Sequence, residues 1–285
     1  MKFTKMQGCG NDYVYIDCFH ESVQNPSELA CVIADRHYGV GGDGLILIEP
    51  SESADAAMRM FNQDGSEGGM CGNGIRCVAK YVYDHGIIPS ERREVSISTR
   101  SGVKNIELQI KDGKMASATV DMGRLSLTSD VPEKIRVRGM ELRFIGVDAG
   151  NPHAVYFLDE NPALGTAHVS DLPLENIGRN FETHERFPDR VNSEFIEIIS
   201  KDEIMFCVWE RGSGETLACG TGATASVFAG AVSGKLSDKV RVHLSGGDLD
   251  IRYDAGSGHC FMSGPAVEVF SGDFDLASAV RNPKY

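Results

Sequence analysis

Two cysteines of this chain stand in matching surroundings. Cys71-Gly72-Asn73-Gly74-Ile75 and Cys219-Gly220-Thr221-Gly222-Ala223 align without a gap when the sequence is slid by 148 residues, and the same shift pairs Phe61 with Trp209 and Glu67 with Glu215. A thiolate rather than a thiol does cysteine chemistry, and a thiol at the start of a helix ionises more readily. Nucleophilic catalysis needs one such thiol and a base, and redox chemistry needs two sulfurs close enough to bond, usually as Cys-x-x-Cys. Inverting a stereocentre by proton transfer needs two acid/base groups on opposite faces of one carbon, one to abstract and one to donate. An unperturbed cysteine, with a pKa of about 8.5, is only slightly ionised near neutral pH, so one member must be held ionised and the other protonated.

The flanking residues suit an anionic substrate. Asn73 and Thr221 are N-cap residue types, so Gly72-Asn73-Gly74 and Gly220-Thr221-Gly222 are expected to present backbone N–H groups at a helix start. Glycine lets a carboxylate approach the main chain, and the helix dipole adds about 0.3 to 1 kcal/mol per end. One such turn is ordinarily a structural cap; two matched copies, each headed by a cysteine, read as paired anion cradles. Asn11, Asn62, Asn151 and Asn192 fall at strand or turn ends, where each alone reads as a turn former. Glu210-Arg211 closes a strand just before the second cysteine loop, the place that Asn62-Gln63 takes in the first copy. An ammonium suits Glu210, and a carboxylate suits the planar fork of Arg211. His153 is as readily structural as catalytic, but beside a thiol it could hold or tune a proton.

Other motifs carry less. Gly39-Val40-Gly41-Gly42-Asp43-Gly44 matches the letters of a dinucleotide-binding fingerprint, yet a helical pattern precedes it and the strand Leu45–Ile48 follows, the reverse of the order that fold requires. It reads as a tight turn near the site. The sequence offers no phosphate-binding loop, no zinc-ligand spacing and no recognisable pyridoxal-phosphate lysine, so neither an organic cofactor nor a metal is expected. A dithiol redox or zinc protein using Cys71 and Cys219 is the remote alternative.

The elements that position these residues follow a common plan. In each copy a β-prone run leads through a polar, Gly-bearing loop to the cysteine and then to a helical pattern: Ile75, Val78, Ala79 and Val82 in the first, ending at Gly86 and Pro89, and Ala223, Val227, Phe228 and Ala231 in the second, ending near Gly234. A second echo, at a shift of 140, pairs Gly10-Asn11 with Gly150-Asn151. Before the first cysteine the pattern predicts a strand at Val14–Asp17, a helix over Ser27–His37 capped by Asn25, and a strand at Leu45–Ile48. Between Glu94 and Val120 two or three strands turn at Lys111-Asp112-Gly113-Lys114. Later strands are expected near 141–147, 154–158, 195–199, 204–209, 240–244, 249–253 and 267–270. Strands arranged mostly as hairpins and interleaved with helices predict an α+β fold of two related halves. The expected division is 1–125, joined by a returning strand within 266–285, and 126–265.

With 285 residues, 41% of them hydrophobic, the chain can bury two cores of ordinary size. A net charge of −13 repels phosphate backbones and anionic lipid surfaces, which argues against nucleic acid and membranes as partners. No apolar run is long enough to span a bilayer, the first residues lack a signal-peptide pattern, and the eight cysteines show no Cys-x-x-Cys, so the expectation is a cytoplasmic protein with reduced thiols. Cys18, Cys31, Cys77, Cys207 and Cys260 read as small buried hydrophobes.

In these blocks the chain resembles the diaminopimelate epimerase family of the pyridoxal-phosphate-independent amino-acid racemases. The similarity runs through Lys5–Asp12, Asp35–Gly41, Phe61–Ser66, Cys71–Cys77, Gly150–His153, Glu185–Pro188, Glu210–Thr216 and Ala218–Gly222, in that order. The resemblance implies two pseudo-twofold-related halves, each a barrel-like, mostly antiparallel sheet around a central helix, with the active site in the cleft between them, assembled as a homodimer. It implies cofactor-free interconversion of LL- and meso-2,6-diaminopimelate, in lysine and peptidoglycan synthesis. Carried over residue by residue, Cys71 and Cys219 become the proton-transfer pair and His153 and Glu210 the groups that modulate them. Asn11, Asn62, Gly72, Asn73, Asn151, Asn192, Glu210, Arg211, Gly220 and Thr221 become substrate contacts. A racemase of another amino acid in the same superfamily is the near alternative. Two positions depart from the pattern: Cys9 stands where a small or aliphatic residue is common, and Gly44 where some members carry Gln.

Overall fold

A computed structural model describes residues 1–276. Its chain divides into two units, Met1–Val120 with the stretch from Gly264 onward, and Asp121–Ser263. The part of the expected returning segment at 277–285 lies outside the described residues.

The first unit begins with β1 (Lys2–Gly8), β2 (Asn11–Asp17), α1 (Pro26–Ile33), β3 (Gly44–Glu49), β4 (Ala56–Asn62) and the two-residue β5 (Glu67–Gly68). α2 (Gly72–Asp84), β6 (Glu94–Thr99), β7 (Gly102–Lys111) and β8 (Lys114–Arg124) follow. Pairing is antiparallel except for β2 with β3 and β4 with β6. The two parallel pairs bracket the helices, as a crossover requires. β3 reads Gly-Leu-Ile-Leu-Ile-Glu because it is covered on both faces. Leu45 and Leu47 pack with Leu29 and Ile33 of α1, while Ile46 points at Gly74 of α2. α2 is not a one-sided amphipathic helix: eleven of its thirteen residues are buried, Ile75, Val78, Ala79 and Val82 completely. Each side chain of valine or isoleucine size buried in this way contributes about 1.5–3 kcal/mol.

The second unit repeats this order nearly element for element. β9 (Ser126–Leu127) and β10 (Glu133–Val137) both pair with β11 (Met140–Asp148), which is followed by β12 (Pro152–Phe157), α3 (Leu174–Glu182), β13 (Asn192–Ser200), β14 (Glu203–Glu210) and the short β15 (Gly214–Glu215). Then come α4 (Gly220–Val232), β16 (Lys239–Leu244), β17 (Gly247–Asp254) and β18 (His259–Pro265). The parallel pairs recur at the matching places, β12 with β13 and β14 with β16. α4 packs against β11, β12, β13, β16 and β17 as the buried centre of its sheet. α3 closes the opposite face, where its Phe181 meets Tyr156 and Phe195, the three rings stacked or edge to face at 5.1–5.3 Å. After β18, β19 (Val267–Asp273) pairs antiparallel with β1 in the first unit.

The fold is therefore α+β, as the hairpin-rich pattern predicts, with local differences. α1 ends at Ile33 rather than at His37, because the Asp35 carboxylate accepts the N–H groups of His37 and Tyr38 and turns the chain out of the helix. Asn25 does not cap that helix through its side chain, whose amide donates to Glu28. β1, β10, α3 and β18 are additions, as are the two-residue strands β5, β9 and β15. The hairpin at Lys111–Lys114 forms where expected, with Asp112 and Gly113 both at positive φ.

Candidate active site

In the first unit β2 begins at Asn11, β3 begins at Gly44 opposite Asn62, and β4 ends at Asn62. These strand ends lie on one edge of the sheet. Cys71 is the N-cap of α2, with extended backbone, and its Sγ accepts the Gly74 N–H at 3.3 Å. Gly72 and Asn73 thus take the first two helical positions, whose N–H groups have no intrahelical acceptor. The Cys71 thiol lies 3.2 Å from the Asn11 amide oxygen, and the Asn11 amide nitrogen donates to Asp43 at 2.7 Å. Asp43 also accepts the Asp12 N–H and meets Arg36, and burial raises its pKa, with the Asp12 charge adding to the effect. Asn73 is buried and accepts from the fully buried Arg76, which also holds the Gly72 and Pro265 carbonyls. The Asn62 amide is turned to Ser66.

The second unit rebuilds the same edge with more charge. Cys219 caps α4 and its Sγ accepts the Gly222 N–H at 3.4 Å, with the Thr221 hydroxyl 3.5 Å away. Glu210, at the end of β14, accepts from Thr216 and stands close enough to Cys219 for its charge to act on the thiol. His153 is buried on β12, its Nδ1 2.6 Å from Glu194 Oε1 and its Nε2 2.9 Å from Asn151 Oδ1. Asn192 joins two of these segments: its Nδ2 donates to the Pro152 carbonyl and its Oδ1 accepts the Arg211 N–H, both at 2.9 Å. The Arg211 guanidinium extends over the Asp189 carbonyl. Glu182 fixes the turn after Glu210 by accepting from Trp209 Nε1 at 2.9 Å and from the Gly212 N–H at 3.0 Å.

Two expectations change here. Asn73 and Thr221 are not the caps; the cysteines are, because a sulfur at the N-cap reaches the N–H three residues on, as an Asp or Ser oxygen does. Nor is a helix start sufficient to ionise Cys219. Burial, followed by the charges of Glu210 and Glu194, holds its pKa well above the ordinary value, against the Thr221 and Gly222 hydrogen bonds that favour the thiolate. Cys77, six residues beyond Cys71 in α2, is likewise pushed up to about 11 by burial.

A family model for diaminopimelate epimerase matches residues 3–128 and 145–269, which takes in every position described above. A curated diaminopimelate epimerase from Agathobacter rectalis is 47% identical over 97% of this chain and 100% of its own length. The chain belongs to the diaminopimelate epimerase family. The fold of that family is shared more widely. The crystal structure of a PhzF-family phenazine biosynthesis protein from Bacillus anthracis aligns with a TM-score of 0.72 at 16% identity over 97% of this chain and 99% of that one. A probable proline racemase from Agrobacterium radiobacter K84 aligns with 0.70 at 16% identity over 96% and 93%.

Against the diaminopimelate epimerase pattern, Cys9 is buried at a positive φ with its Sγ toward the Arg76 guanidinium. A Cβ on Gly44 would meet the Phe61 carbonyl at 2.0 Å, so a longer residue there requires the strand to shift. Among the described residues no cluster of His, Cys, Asp and Glu is arranged to hold a metal, and no helix is long and apolar enough to cross a membrane. Four groups that support the site, Asp43, Arg76, Glu182 and Glu194, escaped the sequence reading. Glu194 had left a signal: it is an acidic residue within the inward-facing run Asn192–Ile196, in step with Asn192 on the same strand face.

Proposed function

We propose that this chain epimerises 2,6-diaminopimelate between its LL and meso forms, with Cys71 and Cys219 as the two proton carriers. One observation supports the pairing above others: the two thiols hold the same cap position, but only one of them has a group beside it that can take a proton. Cys71 points at the Asn11 amide oxygen, which can accept a hydrogen bond but cannot take the proton. Cys219 has Glu210 beside it, a carboxylate that burial keeps above its ordinary pKa and that can take it. In one direction Cys219 passes its proton to Glu210 and removes the α-proton of the substrate, while the Cys71 thiol delivers its own to the opposite face. The reverse reaction starts from the form this leaves: the Cys71 thiolate removes the α-proton, Cys219 delivers its own to the opposite face, and Glu210 returns its proton to Cys219.

The carboxylate beside the reacting carbon binds the N–H groups of Gly72, Asn73, Gly220 and Thr221. Negative charge develops there as the proton leaves, and preoriented donors of this kind each contribute about 3 kcal/mol in acyl-transfer sites. His153 and Asn151 set the environment of Cys219, and Asn62, Asn192, Glu210 and Arg211 read the distal amino-acid end. Both proton carriers are side chains of the protein, so the reading calls for no cofactor.

Solvent deuterium exchange at the substrate α-carbon tests it. Cys71→Ser and Cys219→Ser should each lose epimerisation and keep exchange from only one isomer, the opposite one in each variant. Exchange of both isomers at the wild-type rate in either variant removes that thiol from the reaction. Turnover of LL-diaminopimelate in preference to proline or glutamate distinguishes this substrate from those of other racemases.

The same reading includes a cytoplasmic setting and a homodimer. All eight cysteines are thiols, which suits a reducing compartment. Val267, Val269 and Phe270 of β19 are about half exposed, an apolar strip suited to a second copy. Light scattering of the purified protein checks the dimer.

A further inference from the structure

Glu194 is completely buried and, among the described residues, has one ion-pair partner, His153, at 2.6 Å. In the parallel pair of β12 and β13, His153 lies opposite Asn192 and Val155 opposite Glu194, so His153, Asn192 and Glu194 share the sheet face that α4 covers. Its Oε1 takes the histidine contact and lies where a Cβ on Gly222 would come within 2.8 Å, against the residue whose N–H is given to Cys219 Sγ. Its Oε2 is buried without a hydrogen-bond partner among the described residues. A buried, unsatisfied carboxylate oxygen is destabilising by about 1–3 kcal/mol, and a buried ion pair is weak as a stabiliser. The arrangement is better explained by its effect on the neighbouring thiol than by stability.

We propose that Glu194 is a positioning residue for proton transfer at Cys219: its carboxylate orients the His153 ring and places a fixed negative charge behind the sulfur. The inference rests on the assignment of Cys219 as a proton carrier. The groups that face one another here are His153 from β12, Glu194 from β13, Glu210 from β14 and Cys219 before α4, with Tyr156 of β12 behind them on the opposite sheet face. Negative charge near a thiol disfavours the thiolate. Glu194 therefore helps keep Cys219 protonated until Glu210 accepts its proton, and His153, held on both sides, cannot rotate to take that proton instead.

Glu194→Gln keeps the shape and removes the charge. Its kcat is expected to fall about 10- to 100-fold, short of the roughly 100- to 10,000-fold loss of a group that transfers the proton itself, with KM unchanged within about twofold. The thiol limb of the pH–rate profile moves to lower pH, a change that loss of packing alone does not produce. Glu194→Asp, which keeps the charge, leaves that limb in place. The orienting part of the effect passes through the histidine, so Glu194→Gln costs less kcat in a His153→Gln background than in wild type, while the shift of the thiol limb, which comes from the charge itself, persists there. Wild-type kcat and pH profile in Glu194→Gln, or additive losses in the cycle, overturn the proposal. Cys219→Ser run in the same exchange assay separates the two readings: if it exchanges both isomers normally, the two-thiol assignment fails first.

Discussion

The Cys71 thiol lies 3.2 Å from the Asn11 amide oxygen, and Asn11 cannot turn that oxygen away, because its Nδ2 donates to Asp43 at 2.7 Å. An ionised carboxylate accepts only, so Asp43 fixes which end of the amide faces the sulfur. Asp43→Asn removes that constraint and lets Asn11 present its NH2 group to Cys71. A hydrogen bond to a charged group is worth about 1.5–3 kcal/mol, so kcat should fall by roughly 10- to 100-fold. Burial, then the Asp12 charge, raises the Asp43 pKa, so wild-type activity should decline on the acid side beginning above the ordinary carboxylate range. Steady-state profiles of the two proteins check both points; an identical acid limb in the Asn variant removes Asp43 from this role.

How much of this arrangement was legible in the sequence depends on how locally it is encoded. The repeat about Cys71 and Cys219, both buried helices and most strands are read from spacing alone, since periodicity and glycine turns are properties of adjacent residues. α3 is hard to read from spacing alone: Leu174, Ile177 and Phe181 have helical spacing, but Pro173, Gly178 and two asparagines weigh against a helix. Its Gly178 is required by packing: a Cβ there would lie 2.2 Å from the Trp209 ring. β1 was missed because its lysines hide a strand that two neighbours complete. The caps were misassigned by two residues because rules built on oxygen side chains overlook sulfur. Glu194, Asp43 and Glu182 act through the register of separate strands and turns, which a single sequence does not state.

Gly222 allows the carboxylate of Glu194 and the sulfur of Cys219 to approach one helix turn together. In Gly222→Ala the new methyl would lie 2.8 Å from Glu194 Oε1 and 3.2 Å from Cys219 Sγ, so both must move. Overpacking of this kind is destabilising by about 1–3 kcal/mol. The kcat loss should exceed that of Gly230→Ala, whose added Cβ meets only Leu236 at the far end of α4. Parallel thermal melts and turnover of the two variants separate the catalytic loss from the packing loss, and equal kcat in both contradicts the assignment.

Glu210 gives a stability test with a definite sign. Burial holds its pKa above the ordinary carboxylate value, with the Glu194 charge adding and the Thr216 and Cys219 hydrogen bonds opposing. A raised folded-state pKa contributes stability that is fully present below the unfolded value and is lost as pH rises through the folded one. Glu210→Gln has no charge to bury. Relative to wild type it should therefore gain stability between about pH 4 and neutrality, while turnover falls roughly 100- to 10,000-fold if the residue carries the Cys219 proton. Urea midpoints at both pH values decide the first point, and a constant difference between the proteins refutes it.

Glu182 should behave in the opposite sense. Burial alone would raise its pKa, but hydrogen bonds from Trp209, Gly212 and Arg190 more than offset that and hold the carboxyl below its ordinary value. A depressed folded-state pKa contributes stability that is present above the unfolded value and lost as pH falls through the folded one. Glu182→Gln loses the charge-assisted bonds to the indole and to the turn that follows Arg211, at about 1.5–3 kcal/mol for a hydrogen bond to a charged group. The loss should be full at neutral pH and should shrink as wild type is taken below the ordinary carboxylate range, because wild-type Glu182 is then itself protonated. The Glu210–Gly212 turn carries two residues assigned to the substrate, so the variant should also raise KM for diaminopimelate more than it lowers kcat. Denaturation midpoints across that pH range, with steady-state kinetics at neutral pH, test both statements; a destabilisation independent of pH would make Glu182 a packing residue.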